Sequence, residues 1–213
     1  MNTMRAKINL RTVFPGKYFH FGIAKYVLSF LSKLPKREIP NKFMLVINID
    51  GIPLTKSSGS QFWRILCSVY GTDLVFVIGI YHGFKKPDSI NDFLKDFIVE
   101  MIVLESEGLM FKNNVIPVFV HALICDSPAR AFVTSVKGHN AYHDFHKCVT
   151  KGVYSFPVVG KQGGRVTFPG LNAVLRDDQS FRSRLLSDYH NLKVERSDIE
   201  RLKMNFVKNM IKA

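Results

Sequence analysis

The sequence predicts an α/β protein built on a mixed sheet: a three-strand meander, a helix, a parallel strand and a second helix. Three observations carry this expectation. Two nearly continuous apolar runs, Phe43 to Ile49 and Val115 to Cys125, have the length and two-sided apolarity of strands buried inside a sheet. Between them lie two further strand-like runs and then a long amphipathic helix. At 213 residues and 46% hydrophobic content, the chain is large enough for one domain with its own core, with or without an appended arm.

Residues 1–40 are expected to form a basic helical arm. Residues 1–42 hold nine Lys/Arg against one acid, 43–175 hold twelve against ten, and the remainder nine against six, so most of the net charge of +13 sits at the front. Such an arm suits a polyanion, because each Lys or Arg that neutralises a phosphate releases condensed counterions. Arg5, Lys7, Arg11 and Lys17 are the candidate phosphate contacts. A solvated basic face or an acidic protein partner would produce the same charge pattern. Within the arm, Phe19, Phe21, Ile23, Tyr26, Val27, Phe30 and Leu31 recur at helical spacing, which predicts a helix between Gly22 and Leu34 closed by Pro35 and Pro40.

The core is expected over residues 41–137. Its first strand, Phe43 to Ile49, ends at Asp50-Gly51. After the polar stretch Lys56 to Ser60, the runs Trp63 to Tyr70 and Leu74 to Tyr81 are separated by Gly71-Thr72-Asp73 and complete a meander. Ile90, Phe93, Leu94, Phe97, Ile98 and Met101 then share one helical face, with Ser89 at its start and Gly108 just past its end. Val115 to Cys125 follows as a strand ending at Asp126, and SPARAFVTSV as a helix with Ser127 capping and Pro128 at its first position. Residues 138–213 read as an irregular His- and Cys-containing insertion, Gly/Pro-rich from Phe156 to Gly170, and a basic helix over Ser197 to Lys212.

This order, with an aspartate closing the first and fourth strands, is the ribonuclease H-like order. A helical connection makes the fourth strand parallel to the first and brings the two strand ends side by side. Asp50 and Asp126 are therefore the candidate catalytic pair and the candidate ligands for Mg2+ or Mn2+. Two such carboxylates can hold divalent cations about 3.5 to 4 Å apart, one at the attacking and one at the leaving oxygen of a phosphodiester. Each also has an ordinary reading: Asp50-Gly51 as a hairpin turn and Asp126-Ser127-Pro128 as a helix cap. Phe62 and Trp63 could stack on a base or enter the core, Lys56 and Arg64 could touch phosphate or face water, and Cys125 reads as a small buried hydrophobe. Gly163-Gly164 precedes no helix, so neither an ATP nor an NAD loop is supported.

The strings NIDGIPLTKSSGSQFWRIL, FVIGIYHGFKKPDSINDFLKDFI, ALICDSPARAFVTSVKGHNAY and VTFPGLNAVLRDDQSFR together resemble the transposases of CACTA-type cut-and-paste elements and their animal relatives, from about Gly16 to Ser197. The resemblance implies an Asp, Asp, Glu metal triad whose first two members fall on Asp50 and Asp126. It also implies transposon terminal-inverted-repeat DNA as substrate and a homo-oligomer at work. Two departures follow. The family's CxxC pair falls near Cys148, but Phe145 stands where its first cysteine belongs; a zinc site would then rest on Cys148 with His143, His146 or distantly His190. The family's third carboxylate lies beyond the matched strings. Glu195 and Glu200 fall too early, on a helix-like surface segment, so the chain is expected to be truncated and its triad incomplete. A catalytically inactive DNA-binding or interaction remnant is the alternative to an active enzyme.

Three scattered cysteines, Cys67, Cys125 and Cys148, do not make a disulfide framework. With no long apolar segment and no secretory leader at the front, the expected protein is nuclear or otherwise intracellular, neither secreted nor membrane-bound.

Overall fold

A computed structural model describes residues 10–55, 57, 59–138, 141–143, 146–156, 163–169 and 173–212. The chain runs β1 (Arg11–Val13), β2 (Gly16–His20), α1 (Ala24–Lys33), β3 (Phe43–Pro53), β4 (Gln61–Val69), β5 (Val75–Gly83) and α2 (Ile90–Glu107). It continues through β6 (Leu109–Phe111), β7 (Asn114–Ile116), β8 (Val118–Cys125), α3 (Ser127–Val133), β9 (Val153–Ser155), β10 (Arg165–Thr167), α4 (Asp178–Arg182), α5 (Phe206–Asn209) and β11 (Met210–Lys212). The large sheet has the order β1-β2-β5-β4-β3-β8-β11. β3, β4 and β5 form an antiparallel meander, β8 lies parallel to β3, and β11 lies parallel to β8.

The hydrophobic period of two decides which face is covered. Along β3, Phe43, Leu45, Ile47 and Ile49 are buried, while Met44, Val46, Asn48 and Asp50 between them are half-buried. The run expected to be buried on both faces is thus covered fully on one, where α2 packs. Phe93 of α2 meets the rings of Tyr18, Trp63 and Tyr81 edge-on, and those three residues stand in one cross-strand row over β2, β4 and β5. The start of α2 is set by Ser89, whose side chain accepts a hydrogen bond from the Asp92 amide.

That row ends at Gly51, the β3 partner of Trp63. Gly51 is not a turn residue, since β3 continues to Pro53. The indole lies flat against its backbone, and a methyl group there would stand 2.7 Å from Trp63 Cε2. Gly51→Ala is expected to displace the ring and lower stability by about 1 to 3 kcal/mol. Because Trp63 is the chain's single tryptophan, urea unfolding followed by its fluorescence checks both effects together.

Among the described residues, the front of the chain joins the sheet where a basic arm was expected. Residues 11–20 form a hairpin that extends the sheet beyond β5, and the expected helix is present as α1. The Glu100 carboxylate of α2 fastens α1 in place, accepting hydrogen bonds from the amides of Ile23 (2.8 Å) and Ala24 (3.0 Å) and bonding the His20 ring at 2.9 Å. The back of the chain also departs from expectation. In place of one helix over 197–212 there is a 3₁₀ turn at Asp198–Arg201, the four-residue α5, and β11. Ser197 and Asn205 each cap a new start by accepting from the amides of Ile199 and Lys208. The Arg182 guanidinium holds the carbonyls of Glu200, Leu202 and Met204, which a continuous helix would need for itself. The open edge of β8 then takes the chain as a strand. No helix among the described residues is long and apolar enough to cross a membrane.

Candidate functional site

The β3–β8 ladder decides whether the two aspartates meet. Its parallel register runs from Phe43↔Val118 to Asn48↔Ile124, with a shift between Leu45 and Val46. Carried two residues further, the same register would set Asp50 of β3 abreast of Asp126, which lies one residue past the end of β8; neighbouring strands are spaced about 5 Å apart. Asp50 shares the face of Asn48, which is not the α2 face, and the Asn48 side-chain amide donates to the Ile124 carbonyl at 3.2 Å across the same ladder. Without the shift at Val46, Asp126 would fall out of line with Asp50. Asp126 itself remains extended, at φ −66 and ψ 171, and its carboxylate caps α3 by accepting from the Ala129 amide at 2.7 Å.

The Cys125 thiol, buried beside Asp126, lies within the field of both carboxylates. Burial pushes its thiol up to about 12, and the charges of Asp126 and Asp50 both push it the same way, against a backbone hydrogen bond from Ile49 and the charge of Arg130. The two carboxylates therefore act together on one buried atom. They are flanked by two cations. Arg64 stands opposite Asp50 on β4, with its Nη2 3.6 Å from Oδ2 and its Nε buried without a hydrogen-bond partner. Arg130, one helical turn after Asp126, is buried at 8% exposure. Arg64, which the sequence leaves as a phosphate contact or a solvated charge, is paired with Asp50; Arg130 is marked in the sequence only by its spacing of four from Asp126.

The remaining candidates disperse. Arg5, Lys7 and Lys56 lie outside the described residues. Arg11 is engaged within the fold, with Nε 2.9 Å from Asp96 and Nη2 donating to the Asp92 carbonyl, while exposed Lys17 donates to Thr12. Trp63 belongs to the core, packed edge-on against Phe132 as well as Phe93. Glu195 is exposed as expected, but Glu200 is not a surface residue: its side chain is 2% exposed, paired with Arg196 at 2.6 Å and Arg184 at 3.4 Å. Arg196 stands four residues before Glu200, while Arg184 comes from sixteen residues back, beyond the reach of local periodicity.

Among the described residues, Cys148, His143, His146 and His190 are each engaged with other partners. The buried Cys148 thiol donates to Thr150 at 3.2 Å, and its backbone bridges Leu175. Both His146 ring nitrogens are occupied, Nδ1 by the Tyr189 hydroxyl at 2.9 Å and Nε2 by the Phe206 carbonyl at 3.2 Å. His143 stands 3.8 Å from Asp188, and His190 packs its ring against Phe181 and Tyr189. Phe145 lies outside the described residues. Among those described, no group of three or more His, Cys, Asp or Glu side chains is placed to hold a metal ion. His146 ties the insertion to α5 instead, and the Lys147 ammonium joins it by donating to the Val207, Lys208 and Met210 carbonyls.

No family model matches the chain, and neither a curated protein nor a solved structure matches it. Fold and site together define a mixed α/β protein carrying a carboxylate pair at one end of two parallel central strands.

Proposed function

We propose that the chain is a transposase-derived protein with a ribonuclease H-like core, acting on DNA through a divalent cation held by Asp50 and Asp126. One observation carries the reading. The strands β5-β4-β3-β8-β11 make an antiparallel meander followed by two parallel strands, with Asp50 near the end of β3 and Asp126 directly after the end of β8, two residues beyond the last recorded pair of that ladder. The donor set fits the cation, since two adjacent carboxylates offer the hard oxygens that Mg2+ and Mn2+ prefer. When bound, such an ion would supply charge neutralisation and polarisation at a phosphodiester. The protein's own contribution is to hold the two carboxylates abreast, through the Asn48 bond on one side and the α3 cap on the other. Transposon terminal-repeat DNA is the substrate this reading names, a homo-oligomer its working form and the nucleus its compartment.

The test is Mn2+ binding by electron paramagnetic resonance alongside nicking of terminal-repeat DNA in Mg2+, Mn2+ or EDTA. Binding with cation-dependent nicking supports the proposal, and absence of Mn2+ binding removes it. Binding without nicking selects a second reading, a DNA-binding remnant without catalysis. Arg64 bears on the same measurement. Its partly exposed pair with Asp50 must open for a cation to enter, and such pairs contribute up to about 1 kcal/mol. Arg64→Gln is therefore expected to tighten Mn2+ binding by up to about fivefold.

A further inference from the structure

At the opposite end of β3 and β8 lies a second site that the aspartate pair does not use. The chain leaves α1 through a basic connector, with exposed Lys33, Lys36, Arg37 and Lys42, and enters β3 at Phe43, whose amide donates to the Pro117 carbonyl at 2.8 Å. The β6–β7 hairpin stands against this connector. Its tip is Lys112-Asn113, both at positive φ, and the Lys112 ammonium lies 4.9 Å from the centre of the Phe111 ring. Between connector and hairpin is an open cavity of about 620 Å³, lined by Lys36 and Lys112, by the amide side chains of Asn41 and Asn114, and by apolar residues including Ile39 and Val115.

The chemistry of this groove is one-sided. Residues 33–42 contain four Lys/Arg, Lys36 among them, against one acid, Glu38, and residues 109–116 contain no acid at all. Glu38 is already matched by Arg37 at 3.6 Å. The nearest further carboxylate along the chain is the exposed Glu107, before the hairpin. Basic side chains around an apolar and amide-lined floor suit a nucleic-acid strand, whose phosphates take the ammonium groups while sugars and bases lie on apolar surface. Small acidic ligands would leave that floor unused.

We infer that this groove, between the 33–42 connector and the β6–β7 hairpin, is a DNA-binding site with Lys36 and Lys112 as its principal phosphate contacts. The inference rests on the proposed action on DNA and adds a place where the DNA is held. β3 separates the groove from the carboxylate pair: seven residues from Phe43 to Asp50 correspond to about 23 Å, or roughly seven base pairs of duplex. A strand engaged at both ends would be gripped at some distance from where it is processed.

The experiment measures fluorescence anisotropy of labelled duplex and single-stranded DNA with the full chain across a salt series. It compares wild type, Lys36→Gln/Lys112→Gln, and a control pair of equal charge loss at exposed positions elsewhere, Lys151→Gln/Lys193→Gln. Loss of two phosphate contacts is expected to make the slope of log K against log salt shallower by about 1.8 for duplex and about 1.4 for single strands. Affinity at low salt is expected to fall about tenfold, with the control pair near wild type. Wild-type binding that the groove pair leaves unchanged overturns the inference while leaving DNA binding intact. Equal losses in both pairs overturn it in favour of diffuse charge. Absence of wild-type binding to either DNA overturns both this inference and the DNA reading beneath it. Circular dichroism of each variant checks that the fold is retained.

Discussion

Replacing either Asp50 or Asp126 with asparagine is expected to abolish cation-dependent nicking of terminal-repeat DNA, a loss of at least about a hundredfold, while the chain still folds. Asparagine keeps the shape of the side chain and removes its charge, so the substitution acts on cation binding more than on packing. At Asp126 the distinction is sharper, because the same carboxylate accepts from the Ala129 amide at 2.7 Å. Asparagine caps a helix about as well as aspartate, whereas alanine does not and costs about 1 kcal/mol of stability. Asp126→Asn should therefore lose activity with an unchanged unfolding midpoint, and Asp126→Ala should lose both. The double variant should be no worse than either single one, as expected of residues that work as a unit. Nicking that persists in both single asparagine variants would show that the pair is a turn and a cap, and nothing more.

The second large effect is a loss of stability between neutral pH and pH 4. His146 and His190 are buried, and burial, together with nearby Arg and Lys charges, pushes both rings down from 6.5 to about 4. In the unfolded chain they take up protons as pH falls through 6.5, while in the native protein they stay neutral until about pH 4. The stability they contribute is therefore complete above the unfolded value, is lost as pH falls across that window, and declines no further once both states are protonated. For His146, at 7% exposure and held by Tyr189 and Phe206, the loss amounts to about 3 kcal/mol across the window. Glu100 extends the effect to lower pH. Burial alone would raise its carboxyl, but the bonds from His20 and from the Ala24 and Ile23 amides outweigh it and hold the group below 4.5. Its contribution is present above that ordinary value and disappears as pH falls through the lower native one. Urea midpoints measured from pH 7.5 to 3.5 should fall most steeply between 6.5 and 4, and His146→Gln should flatten part of that slope. A level profile over this range would mean that the two rings are solvated in the native protein.

Much of this architecture was legible because it is local. The meander, α2 and β8 announce themselves through apolar period and turn residues, and Ser89 and Gly108 mark the ends of α2 by capping chemistry that acts within a few residues. Asp50 and Asp126 were legible for the same reason, as polar residues where apolar runs stop. Elsewhere local signals misled. Asp50-Gly51 has the composition of a turn, yet Gly51 is small because Trp63 lies on it, and Trp63 arrives from another strand. The basic residues near the front read as an arm, yet Arg11 meets Asp96, eighty-five residues away. The spacing over 197–212 reads as a helix, yet Arg182 takes its carbonyls and β8 offers an edge. His146 and Cys148 have the composition of a metal site, yet Tyr189, Phe206 and Thr150 already occupy the atoms that would bind it.

By itself, then, the sequence determined the mixed α/β class, the order of the central elements and the two carboxylates at their ends, since hydrophobic period and capping depend on residues a few positions apart. Only the tertiary structure decided that the front hairpin and β11 extend the sheet, and that a one-residue shift in the β3–β8 ladder carries its register towards Asp126 opposite Asp50. Those outcomes rest on pairings between segments tens of residues apart, where register and burial come from the partner strand or side chain and leave no periodic trace in the chain that receives them.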